Sequence, residues 1–397
     1  MKFLQINLLK EFLTQSLKLL SSGLITSIGF VVLSSGRLEF VNSDIVLEIL
    51  IFTQYLMIGL TVCKFGVDNL LYVNFLVDET KKYSPFNYIK KNGLYLILIF
   101  SLIIYFIEKD LVNSILVFLC LLLDVMSILI IVQLGARKFF GQVFIGNFLS
   151  YPLFFVSFLI LGFFFNFNKI AFVLLFLSCA TLRFLVVGKF YRDINAVEMN
   201  PKFEFKLGFQ QLLNYVLFKS DQILFSLGTL SMIWFGYNKN ELQKYMFLSR
   251  FPELISGVLV SLVFLYGSKM TITNKNDFVE LIKKYKLSLI GYIFLLLFFF
   301  LAYTLFWKGD SFISIGEFLP YLLISILIFF VNMVTLGFLK HEKINKLNFN
   351  LSISIFLAVL FQFFLLFISV KSSLLWITPM QMIIFVFLIL FEKNEIN

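Results

Sequence analysis

Apolar runs of about 20 residues recur from one end of the chain to the other, and a bilayer core admits only segments that satisfy their own backbone hydrogen bonds. Runs of that length read as helical crossings. With 60% of its 397 residues hydrophobic and only 14% charged, the chain lacks the polar surface of a soluble globule. The fold class expected is all-α integral membrane.

Twelve spans are expected, near residues 12–34, 43–64, 93–107, 111–134, 143–165, 168–188, 207–230, 243–267, 287–306, 312–339, 348–370 and 373–391. The opening MKFLQINLLKEFLTQ has no small-residue cleavage site, so the first span itself is expected to direct insertion. Tight joints are expected at Glu108–Asp110, Asn166–Lys169 and Lys308–Asp310. Lys and Arg concentrate in loops that stay cytoplasmic. With the N-terminus inside, seven basic residues fall outside (Arg37, Lys109, Lys169, Lys239, Lys244, Lys308, Lys371) and three within the membrane (Arg183, Lys219, Arg250), which leaves 23 of the 33 inside. Both termini are therefore expected to be cytoplasmic, and the net charge of +10 needs no nucleic acid to explain it.

The polar connection from Lys189 to Lys206, which contains Pro201, divides the chain into two sets of six spans. We expect an N-terminal six-helix bundle over 1–192, a cytoplasmic linker over 193–206 and a C-terminal six-helix bundle over 207–397. An even number of spans per half relates the halves by an axis along the membrane normal.

The seventh span carries Lys219 and Asp221 amid apolar residues, with Gln210, Gln211 and Asn214 on the same stretch. A charge at mid-bilayer costs about 2.5–3.5 kcal/mol on insertion scales and so faces a partner, a wet cavity or a substrate path. Asp221 sits ~21 Å into an outward-running helix, and Arg250 ~10 Å into the inward-running eighth, at comparable depth. The two could pair across the helices, with Glu253 competing for Arg250 at i, i+3. Lys219 and Asp221 are about 200° apart on a regular helix, so only one is expected to face a cavity. Lys219, Arg250 and Lys64 are the candidate cations for an anionic substrate; Asp221, Asp124 and Glu253 are the candidate cavity or ion-coupling carboxylates. Arg183, near the cytoplasmic end of its span, is expected to snorkel to the surface. Lys64 and Glu317, nearer span ends, could also be interfacial. Tyr215 and Tyr245 could stack on sugars, and Trp234 reads as an interfacial anchor.

Three stretches, KFGVDNLLYVNFLVDE after the second span, LFKSDQILFS in the seventh and LQKYMFLSRFPELISG entering the eighth, together with twelve short-looped spans, give the chain a likeness. It resembles the polysaccharide repeat-unit (O-antigen, Wzx-type) flippases of the MOP exporter superfamily. The resemblance implies two six-helix bundles around a central cavity of MATE-like architecture. It also implies transport of undecaprenyl-diphosphate-linked oligosaccharide from the inner to the outer leaflet of the bacterial inner membrane by alternating access. Relatives often carry an acid where Asp221 stands and a basic residue after a tyrosine, as Arg250 follows Tyr245; many have a basic residue near the position of Val73, and this chain does not. Partners implied are the lipid-linked anionic oligosaccharide, membrane lipid, a polysaccharide polymerase and a chain-length regulator. No bound cofactor is expected, and coupling to a proton or sodium gradient is.

A multidrug or cation exporter of the same superfamily is the alternative, although mid-span Lys219 and Arg250 weigh against an acidic cavity. A membrane-embedded polymerase or ligase would need larger outer loops for its catalytic groups. Cys63, Cys120 and Cys179 have no metal-ligand spacing, and His341 has no catalytic company, so neither a metal site nor an enzyme is expected.

Overall fold

The computed structural model describes residues 25–35, 43–68, 71, 81–137, 139–162, 164, 168–192, 197–198, 205–226, 236–266, 272, 275–307, 313–340, 343–367 and 375–391. Apart from a two-residue parallel pairing of β1 (Lys81–Lys82) with β2 (Val197–Glu198), its regular structure is helical. Every one of the twelve expected segments carries a helix among the described residues. Seven helical stretches are long and apolar enough to cross a membrane: Ile45–Lys64, Pro85–Glu108, Leu111–Ala136, Phe140–Gly162, Ile170–Arg192, Ile315–Thr335 and Ile344–Phe364. An eighth is reached if Lys275–Lys284 and Leu289–Thr304, which meet at 78°, count as one. These spans make the chain a multi-pass membrane protein.

The chain divides into two compact units, one formed by Met1–Phe30 and Glu39–Gly208, the other by Val31–Leu38 and Phe209–Asn397. In chain order the helices are α1 (Ile25–Ser34), α2 (Ser43–Lys64), α3 (Leu94–Glu108), α4 (Leu111–Ala136), α5 (Phe140–Phe148), α6 (Tyr151–Gly162) and α7 (Lys169–Arg192). Then come α8 (Phe205–Ser226), α9 (Lys239–Tyr266), α10 (Lys275–Thr304), α11 (Ile315–Lys340), α12 (Ile344–Phe367) and α13 (Ile377–Phe391).

In the first unit, α4 is the central helix, packed against α2, α3, α5 and α7. The α3–α4 joint is as short as expected because Lys109 takes the left-handed conformation (φ 55°) that ends α3. The next residue, Asp110, caps α4 by accepting from the Asn113 amide at 3.1 Å. Gly59 lets α2 close on its neighbours, since a Cβ there would lie 2.7 Å from Leu121 and 2.8 Å from Phe100. Tyr88 caps the end of α2 by donating to the Cys63 carbonyl.

In the second unit, α11 packs against α9 and α13, and α12 against α13. The start of α9 is a capping box: the Glu241 amide donates to Asn238 Oδ1 and the Asn238 amide donates to Glu241 Oε2, each at 2.8 Å. Ser314 and Glu317 repeat half of that device at the start of α11, with the Ser314 amide 2.9 Å from Glu317 Oε2. Pro252 interrupts the ladder of α9, because it has no N–H for the Leu248 carbonyl. The carbonyls on either side of Leu248 also accept from other helices, Phe247 from Tyr303 at 2.5 Å and Ser249 from Gln222 at 3.3 Å.

Candidate functional site

The helix α8 leaves helical geometry at Lys219 (φ −134°, ψ 15°), with neither Gly nor Pro nearby. The break frees backbone groups, and side chains take them up, as buried backbone N–H and C=O groups require. The Asp221 amide donates to Thr378 Oγ1 at 3.1 Å, and the same hydroxyl donates to Asp221 Oδ1 at 2.7 Å. Ser220 Oγ lies 2.7 Å from the Val216 carbonyl and 2.9 Å from Gln381 Oε1. Thr378 and Gln381 are thus the α13 residues that hold the broken stretch in place.

The break also corrects an expectation. On a regular helix Lys219 and Asp221 would face apart, whereas here both line one cavity with Gln222, Ser249, Glu253 and Tyr321. That cavity is about 30 Å³, room for a water molecule or two. Pro252 also lines it, so it lies where α8 and α9 both depart from a continuous hydrogen-bond ladder.

The ion pairs around it centre on Glu253. Its Oε2 lies 2.8 Å from Arg250 Nη1, one turn earlier on α9, and its Oε1 receives Lys219 Nζ from α8. Lys219 Nζ also reaches Gln222 Oε1 at 3.2 Å. Among the described ion pairs, Arg250 meets Glu253 and Asp221 has none. Its side chain is 0% exposed, against 22% for Lys219 and 14% for Glu253, so Lys219 is the accessible cation of the group. With all four groups ionised, Lys219, Arg250, Glu253 and Asp221 sum to zero.

The remaining candidate cation and carboxylate, Lys64 and Asp124, lie in the first unit with Arg183, each with its own partner. Arg183 does not snorkel. It is buried, donates from Nη1 to Asp124 Oδ1 at 2.8 Å and from Nε to the Gly146 carbonyl at 2.9 Å. A carboxylate available at the same depth makes the inward rotamer cheaper than a reach for water, since each buried charge then meets its opposite. Gly146 lets α5 close on α4 and α7, for a Cβ there would sit 2.9 Å from Ile131 and 3.0 Å from Val187. Lys64, in the last turn of α2, pairs with Asp68 at 2.6 Å.

Sequence reasoning missed Thr378 and Gln381, although their i, i+3 spacing in the apolar α13 is the signal that could have found them. It also missed Lys244, expected in an outer loop. Lys244 is buried and 2.5 Å from Glu317, which Tyr245 approaches to 3.4 Å. Trp234 and His341 lie outside the described residues. Among the described residues, no group of three or more His, Cys, Asp or Glu is placed to hold a metal ion, and all three cysteines are buried free thiols. No protein-family model, curated protein or solved structure matches the chain.

Proposed function

We propose that the chain is a flippase that moves undecaprenyl-diphosphate-linked oligosaccharide across the bacterial inner membrane by alternating access, with both termini cytoplasmic. The observation that carries this reading is the break in α8 at Lys219, which brings Lys219 and Asp221 onto one cavity beside Glu253. Discontinuous helices with exposed backbone and charge at membrane depth are where transporters build their binding and coupling sites. A diphosphate head cannot cross hydrocarbon unaided, and an ammonium group such as Lys219 can replace part of its hydration. A cavity of about 30 Å³ holds no glycan, so on this reading the conformation described is a closed one that opens to load cargo. Asp221, bonded to Thr378 and without a basic residue in direct contact among the described ion pairs, is the first choice for coupling to a proton or sodium gradient.

The test is genetic. Deletion should leave repeat units attached to their carrier on the cytoplasmic side; normal surface glycan in a strain with no redundant transporter overturns the reading. One observation favours a second reading, a cation exporter of the same superfamily: Glu253 is paired with both Lys219 and Arg250, and Asp221 brings the group to zero net charge. In that case deletion would instead raise sensitivity to cationic dyes.

A further inference from the structure

Glu253 gives one carboxylate oxygen to each of two cations, Oε2 to Arg250 at 2.8 Å and Oε1 to Lys219. This is the arrangement a phosphoryl group would make between the same guanidinium and ammonium, two oxygens on one central atom facing two donors. The two halves of the contact differ in access. Arg250 is enclosed and tied to Glu253 within one helix, whereas Lys219 is 22% exposed, sits on the non-helical residue of α8 and borders the cavity.

We propose that Glu253 is an internal stand-in for the phosphoryl group of the cargo, and that an oxyanion binds here by exchange. The diphosphate takes the place of Glu253 on Lys219, and Arg250 keeps the displaced carboxylate from standing alone. This rests on the anionic-cargo reading above and adds to it how the empty protein is kept neutral. Leaving a buried ion without its partner is strongly destabilising. With Glu253 between them, Lys219 and Arg250 each face a carboxylate oxygen in the unloaded protein, and Asp221 supplies the second negative charge of the group.

The test uses full-length protein in nanodiscs of neutral lipid, with inorganic pyrophosphate as the probe and calorimetry as the readout. Glu253→Gln should bind pyrophosphate about tenfold tighter than the native protein, since the competing anion is gone while both donors remain. Adding Lys219→Ala to Glu253→Gln should abolish the gain. Equal or weaker binding by Glu253→Gln overturns the proposal, as does a gain that survives loss of Lys219. If Glu253→Gln does not fold, Glu253→Asp decides: its shorter carboxylate cannot span both cations, so a smaller gain is expected and unchanged affinity overturns the proposal. Tighter pyrophosphate binding together with normal surface glycan in the deletion strain would keep the exchange site and reject the cargo.

Discussion

Thr378 grips Asp221 twice through a single hydroxyl, accepting from its amide at 3.1 Å and donating to its carboxylate at 2.7 Å. One side chain on α13 therefore replaces a helical hydrogen bond in α8 and solvates a buried acid at the same time.

Thr378→Val keeps the shape of the side chain and removes both bonds, leaving two buried polar groups without this partner. A loss of about 1–3 kcal/mol is expected for each group left unsatisfied. Thermal unfolding in detergent should show Thr378→Val well below the native protein and Thr378→Ser close to it. Equal melting of all three would mean the break in α8 is held by something else.

The Asp124–Arg183 pair should behave as a unit. Removing either partner alone should cost about 3–5 kcal/mol, because it strands a buried charge, while removing both should cost less than the sum. A double-mutant cycle with Asp124→Leu and Arg183→Leu measures the coupling, and additive losses would contradict the geometry.

Gly208 meets the Phe65 carbonyl, and a Cβ at that position would lie 2.4 Å from the oxygen. Backbone cannot rotate aside as a side-chain tip can. Gly208→Ala should cost about 1–3 kcal/mol, read as a lower melting temperature, whereas alanine at Gly291, inside α10 with nothing within 4 Å, should leave it unchanged or raise it.

On the flippase reading, export should separate the two cations that Glu253 joins. Lys219→Ala should lower surface glycan at normal protein level, because the accessible cation is lost. Arg250→Ala should lower the amount of folded protein, because a fully buried partner of Glu253 is lost. Lys283→Ala, on the exposed face of α10, should do neither. Equal export by Lys219→Ala and the native protein would remove Lys219 from the cargo path.

The parts of this arrangement legible in the sequence are those that depend on near neighbours along the chain. Apolar run length placed the helices, and the i, i+3 spacing of Arg250 and Glu253 made their pair a stated competitor. The Lys109–Asp110 joint was likewise fixed locally, by one left-handed residue and one cap. Arg183 was misplaced because a sequence gives a residue's depth but not which helix lies beside it, and Asp124 is 59 positions away. The shared face of Lys219 and Asp221 was not foreseen because rotation was counted at a constant angle per residue. No Gly or Pro marks the break; Ser220 and Asp221, whose side chains compete for backbone bonds, are its only local trace.

Pro252 stands between Arg250 and Glu253, and this position gives α9 a hinge at the ion pair itself. A helix resists bending because each amide straps down the carbonyl four residues back, yet at Pro252 that strap is missing by covalent structure. Bending there breaks no ladder bond at Leu248, and the contacts from Tyr303 and Gln222 to the neighbouring carbonyls are single hydrogen bonds worth about 1 kcal/mol each. Arg250 and Glu253 lie on either side of that missing strap, so their ion pair spans the point where the ladder of α9 is weakest.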